Sequence, residues 1–286
     1  MAVVTTKSAM RDLGATWRAA GQGVALVPIS GVPHAGHQGL IARARTEAAR
    51  TVVSITPFAP VDPANRDDAA LNAAAHALLA DGVDAVFLPD PGDVALRTLS
   101  THVETPDLAR TLFGKLRPGH YRAVATQIAR LFNIVQPEVA CFGEQDYQEL
   151  CVIRQMVRDL DSPVRIVGLP TRRDPDGLAI ARRNHALGPQ DRTAALILSR
   201  TLAQAAEMAK TGITASRLRA WVAAQIQTEP RADPLLADIR DAQTLSSIAG
   251  PLVAPAVILL AVRFGKVLLI DQAIVTPGDP PPHLCA

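Results

Sequence analysis

Residues 23–37 read Gly-Val-Ala-Leu-Val-Pro-Ile-Ser-Gly-Val-Pro-His-Ala-Gly-His: an apolar run, a turn rich in Gly and Pro, and two histidines three residues apart. The run 23–28 reads as a strand buried on both faces, because apolar residues continue without alternation. An Ala/Arg-rich stretch over 37–50 then reads as a helix. The same alternation continues outward. Strands are expected at 51–55, 85–88, 139–142 and 164–167, with helices at 71–80, 124–132 and 148–159 between or after them. Short apolar runs alternating with helical stretches specify an α/β fold with a doubly wound, Rossmann-like parallel sheet. Such sheets bind ligands at the carboxyl ends of their strands.

The pattern changes near residue 176. Helices over 189–210 and 216–228 and strands over 257–262 and 266–270 indicate a smaller α+β domain. Two domains are therefore expected, 1–175 and 176–286, with 278–286 as a flexible tail. Internal repeats and low-complexity blocks are absent.

Composition excludes several classes. The 286 residues are 48% apolar and 20% charged, ordinary for a globular protein, while aromatics make up only 3%. The core must therefore be built from Val, Leu, Ile and Ala. A formal charge of +2 gives no electrostatic case for nucleic acid. Cys141, Cys151 and Cys285 form neither a disulfide framework nor a zinc motif. Residues 1–18 lack the layout of a signal peptide, and the apolar run 252–262 is too short to span a membrane. A cytoplasmic protein without membrane partners is expected.

Four segments carry candidate chemistry. His34 and His37 share one face of a first helical turn, where free N–H groups and the helix dipole suit phosphate. Two imidazoles there can donate to phosphate oxygens as charge builds. Gly31 and Gly36 let a ligand approach the backbone. In Arg117-Pro-Gly-His-Tyr121 an arginine suited to oxyanions precedes a helix; an ordinary surface turn would look the same. The stretch after the strand 139–142 sets Gly143, Glu144, Gln145 and Asp146 at a helix start, where acidic residues also serve as caps. Finally, Asp176-Gly-Leu-Ala-Ile-Ala-Arg-Arg-Asn184 puts two adjacent arginines at the domain boundary. They could close over polyphosphate as a mobile lid or form a solvated basic turn.

Together these segments resemble the pantothenate synthetase (pantoate–β-alanine ligase) family of HxGH-type nucleotidyltransferases. The resemblance rests on His34-x-x-His37, Arg117-Pro-Gly-His120, Leu131-Phe-Asn-Ile-Val-Gln-Pro137, Phe142-Gly-Glu-x-Asp-Tyr-Gln148 and Asp176-Gly-Leu-Ala-x-x-x-Arg-Asn184, in order along nearly the whole chain. It implies a two-step reaction in which ATP and a carboxylate form an acyl-adenylate, which an amine converts to an amide and AMP. ATP and Mg2+ are the implied cofactors, a carboxylic acid and an amine the small-molecule partners, and a homodimer the implied assembly. The large domain would bind nucleotide and acid, and the small one would be the lid. By resemblance His34, His37 and Arg183 are catalytic. Ser30, Gly31, Gly143, Gln145, Asp146, Ile180 and Arg182 fall at nucleotide-binding positions, and Phe58, Val61, Arg117 and Glu149 at substrate-binding ones. No metal-ligating residue is assigned.

The chain departs from that family at its pocket. Ser30 stands where the family has Met, Gln145 where it has Lys, and Ala181 and Arg182 where it has two serines. Phe58 and Val61 replace an Asn and a pantoate-binding Gln, and Glu149 replaces a second such Gln. A site losing such partners loses about 1–3 kcal/mol per unpaired group. The sequence therefore points to a ligase of the same mechanism with altered substrate specificity. The alternatives are a genuine pantoate–β-alanine ligase and a non-catalytic nucleotide-binding relative.

Overall fold

The computed structural model describes residues 1–56, 67–94, 96 and 99–278. Contacts group them into two units, residues 1–143 with 152–169, and residues 144–151 with 170 onward. The first unit carries six strands: β1 Ala2–Val4, β2 Val24–Ile29, β3 Arg50–Ile55, β4 Ala85–Phe87, β5 Val139–Gly143 and β6 Arg165–Leu169. They form one sheet in the order β1-β4-β3-β2-β5-β6, every neighbouring pair parallel. Strand order runs one way from β2 and the other way from β5, so the topological switch point lies between them.

Helices cover this sheet. The long ones are α1 Lys7–Ala19, α2 Ala35–Glu47 and α3 Asp68–Ala80. Three short turns follow, α4 Pro91–Val94, α5 Pro106–Ala109 and α6 Phe113–Leu116, and then α7 His120–Val135 and α8 Tyr147–Asp159. Leu40, Ile41 and Ala44 of α2 and Leu71, Ala75 and Leu78 of α3 bury against Ala25, Val27, Ile29, Val53, Ile55 and Val86. Those strand residues alternate, as side chains on one face of a sheet must. Leu26, Val52 and Ala140 point the other way and are also fully buried. Uninterrupted apolar strands are the consequence.

The second unit contains α9 Pro189–Ala195, α10 Ile197–Ala209 and α11 Ala215–Gln227, with the antiparallel sheet β7 Ala232–Asp241, β8 Ala256–Phe264 and β9 Val267–Val275. Leu198, Leu202, Leu218, Val222 and Ile226 form its core with Ile258, Leu260 and Phe264.

Several boundaries differ from the sequence reading. The helix expected over 37–50 starts at Ala35 and stops at Glu47, because Arg50 already belongs to β3. There Arg50 pairs with Asp84 at 2.7 Å and the Thr51 N–H bonds the same carboxylate at 2.9 Å. The helix read as 189–210 is two, broken at Leu196. α1, β1 and β7 were not anticipated. β7 hides in Ala-Asp-Pro-Leu-Leu because Pro234 sits at a register shift on an edge strand, where a missing N–H is tolerated. The expected tail beyond Gly278 lies outside the described residues. No described helix is long and apolar enough to cross a membrane.

Cys141 on β5 and Cys151 on α8 are both buried; Cys285 lies outside the described residues. Burial pushes the Cys141 thiol up to about 11, with Glu47 adding to the rise and Arg43 and Arg165 opposing it. The thiolate is the reactive form. Iodoacetamide at about pH 8 should therefore leave Cys141 unmodified in the native protein and alkylate it after unfolding in guanidinium. Native labelling at the rate of a free thiol would contradict this packing.

Candidate active site

The crevice begins with a proline. In β2 the Val24 carbonyl accepts from the Glu138 N–H, on the β5 side, while the Gly23 and Ile29 carbonyls accept from Arg50 and Thr56, on the β3 side. Even-numbered residues of β2 thus address β5, and Pro28 is one of them. It has no N–H to offer. Pairing between β2 and β5 accordingly ends at Leu26↔Ala140, whereas pairing with β3 continues to Ile29↔Ile55. The two strands at the switch point are released from each other at their carboxyl ends, where Ser30 and Gly31 follow β2 and Gly143 ends β5.

Gly31 turns the chain with φ 84°, a conformation that favours glycine. His34 then becomes the N-cap of α2, and its Nδ1 accepts the Gly36 N–H at 3.1 Å. His37 reaches back, its Nδ1 accepting the His34 N–H at 3.0 Å. The rings lie 3.9 Å apart, tilted by 39°. This is a capping box with imidazoles in place of the usual hydroxyl and carboxamide. Since each Nδ1 is an acceptor, each neutral ring carries its proton on Nε2. Both histidines are thereby fixed as Nε2–H donors at a helix N-terminus, which already favours anions. A Cβ added to Gly143 would meet nothing within 4 Å, so its lack of a side chain leaves open space at the end of β5.

Arg117 belongs to the same unit and caps the end of α6. The turn before it is strained: Leu112 has φ 48° and ψ −122°, and the Gly114 N–H donates to the Thr111 carbonyl at 2.7 Å. Burial of the Leu112 side chain holds it there. The Arg117 guanidinium lies 5.9 Å from the Tyr121 ring centre, a cation–π distance.

In the second unit, Asp146 caps α8, one carboxylate oxygen accepting the Glu149 N–H at 3.1 Å and its carbonyl the Leu150 N–H at 3.2 Å. Tyr147 donates its buried hydroxyl to the Ala242 carbonyl at 2.9 Å, which ties residues 144–151 to this unit. A small recess, open on one side, brings Gln145 together with Ala181, Arg183, Asn184, Leu269 and Asp271. Arg183 lines it from the 3₁₀ turn Arg182–Ala186 and donates to the Leu268 carbonyl at 2.8 Å. Arg182 is exposed and is not among the lining residues. The Ile180 N–H bonds the Arg172 carbonyl at 2.9 Å.

The structure thus gathers Ser30, Gly31, His34, His37 and Gly143 around one switch point, and Gln145 with Arg183 around one recess. Phe58 and Val61 lie outside the described residues. Asp271 was missed by sequence reasoning, although a lone carboxylate in the apolar run Val-Leu-Leu-Ile-Asp is a signal that it must be paired.

This arrangement has counterparts among known proteins. Residues 2–274 match the family model described as pantoate-beta-alanine ligase. The chain is 42% identical over 264 residues to pantothenate synthetase of Rhizobium etli, covering 91% of this chain and 88% of that one. It is 41% identical over 285 residues to that of Sinorhizobium medicae, covering 97% of each. The crystal structure of pantothenate synthetase from Thermus thermophilus superposes with a TM-score of 0.84 at 36% identity, over 97% of this chain and 100% of that one. The chain belongs to the pantoate-beta-alanine ligase family, whose members are ATP-dependent, AMP-forming amide ligases.

Proposed function

We propose that this enzyme is a pantoate–β-alanine ligase, the reading the sequence held as its first alternative. The case for an altered acid rested on Phe58, Val61 and Glu149. The first two lie outside the described residues, and no compared protein points to a changed specificity. Relatives near 40% identity along almost the whole chain fit the unaltered ligase at least as well. The same reading carries the cytoplasmic location and the homodimer that the resemblance implies.

The observation that supports it best is the His34–His37 box at the switch point. In the first step a carboxylate oxygen of pantoate attacks the α-phosphorus of ATP; a P–O bond forms and the bond to pyrophosphate breaks. Charge grows on the non-bridging oxygens, where two Nε2–H donors contribute without reorganising. In the second step the β-alanine amine attacks the acyl carbon, AMP leaves with the C–O electron pair, and the amine gives up a proton to solvent. Magnesium enters with ATP as part of the substrate, held by phosphate oxygens and water. We assign Ser30, Gly31 and Gly143 to the nucleotide, Asp146 to the ribose, and Gln145, Ile180 and Arg182 to the nucleotide's phosphate end. Arg183 is assigned to the phosphates as a catalytic cation, and Arg117 and Glu149 to the acid. On this assignment residues 1–175 bind nucleotide and acid, and residues 176–286 serve as the lid.

Three outcomes follow. Pyrophosphate and AMP should form in equal amounts from ATP, pantoate and β-alanine, and a preference for another carboxylic acid across a panel would overturn the pantoate assignment. His34→Ala or His37→Ala should lower kcat by about 10²–10³ and cost about 1 kcal/mol in urea unfolding through the lost cap. The double variant should cost less stability than the sum, since the two rings form one box. Gln145→Lys combined with Ala181→Ser should raise kcat/KM for ATP about tenfold, the worth of one charge-assisted hydrogen bond. A loss instead would mean that Gln145 is already the better partner for this recess.

A further inference from the structure

β9 runs Val-Leu-Leu-Ile-Asp-Gln-Ala-Ile-Val, and its one carboxylate, Asp271, is only 1% exposed. A carboxylate buried in an apolar strand needs a cation with matched geometry. Arg173 supplies it with both arms, Nη1 to Oδ2 at 2.7 Å and Nη2 to Oδ1 at 2.9 Å. The same guanidinium donates to the Gly177 carbonyl at 3.1 Å. Gly177 lies in the turn of a small hairpin over residues 172–180, closed by Asp174 N–H to Leu178 O at 2.8 Å and Ile180 N–H to Arg172 O at 2.9 Å. Its φ of 97° suits glycine.

The hairpin carries the arginine turn. Asn184 Nδ2 donates to the Ala179 carbonyl at 2.8 Å, fastening the 3₁₀ turn to the hairpin's second limb. Arg183 then returns to β9 through its bond to the Leu268 carbonyl. The path is closed: from β9 through Asp271 and Arg173 to the hairpin, through Asn184 to the turn, and through Arg183 back to β9. Asp271 and Arg183 line the same recess. We infer that Arg173 and Asp271 are a positioning pair that sets Arg183 for its work on phosphate, without either touching substrate. This rests on the adenylation reading for Arg183; the anchoring itself does not.

The test separates the two. In the absence of any substrate, Asp271→Asn should accelerate tryptic cleavage after Arg182 and Arg183 about tenfold relative to cleavage after Arg217, because the turn opens locally. Unchanged cleavage overturns the inference, whatever happens to turnover. In turnover with ATP, pantoate and β-alanine, Asp271→Asn should lower kcat about 100-fold, the scale of a misplaced catalytic group, with a much smaller change in KM for pantoate. Combined with Arg183→Ala it should cost nothing further, since both act through one guanidinium. Multiplying losses overturn the inference even if cleavage rises. If the unaltered enzyme shows no turnover with pantoate, the functional reading has failed and cleavage alone decides the anchor. Should Asp271→Asn not fold, Arg173→Lys keeps the charge and removes the fork, and the same criteria apply.

Discussion

The first unit depends on a hydrogen bond that cannot form. Pro28 addresses β5 with a nitrogen that bears no proton, so the ladder between the two strands at the switch point stops short. Had it continued, the carboxyl ends of β2 and β5 would be zipped together and the Ser30–His34 turn would have nothing to open onto. The rest of the sheet tolerates this because β2 keeps its full pairing with β3 and because both faces of β2 are buried. A proline in a central strand ordinarily argues against the strand. Here it marks where the strand gives way to the turn we propose as the nucleotide site.

The second unit solves a different problem. Its central strand β8 is buried at eight of nine positions, and β9 brings a full charge into that apolar setting. Removing one partner of such a pair leaves an uncompensated charge, which costs several kcal/mol, whereas replacing both by apolar groups is often neutral. The Arg173–Asp271 pair is therefore poor evidence for stability and better evidence for registration: it allows one placement of the hairpin on β9 and disfavours neighbouring ones.

Much of this was legible beforehand. The apolar runs at 23–28, 51–55, 85–88 and 139–142 fall on β2, β3, β4 and β5, because a strand buried on both faces leaves an uninterrupted hydrophobic signal. The motif 34–37 fell at a helix start for the same local reason. What escaped was nonlocal. β1 is three residues long and takes its strand character from pairing with β4. β7 mixes Asp, Pro and Arg with its apolar residues and is a strand only because β8 lies beside it. Gln145 and Ala181 are 36 positions apart, and no periodicity says that they share a recess. Glu149 is a different case, a pocket substitution read as a change of substrate where relatives near 40% identity fit the unaltered ligase at least as well.

The imidazole box has a consequence for the direction of proton flow. A ring that must keep a lone pair on Nδ1 to hold its helix, and that therefore bears hydrogen on Nε2, can give a hydrogen bond outward but has no basic nitrogen facing a substrate. His34 and His37 are thus barred from acting as proton acceptors for the incoming amine so long as α2 stays intact. The adenylation step proposed for them moves no proton and suits such a pair. On the proposed two-step reaction, amide formation sheds its proton to solvent rather than to these rings, so tolerance of negative charge and disposal of positive charge fall to different agents.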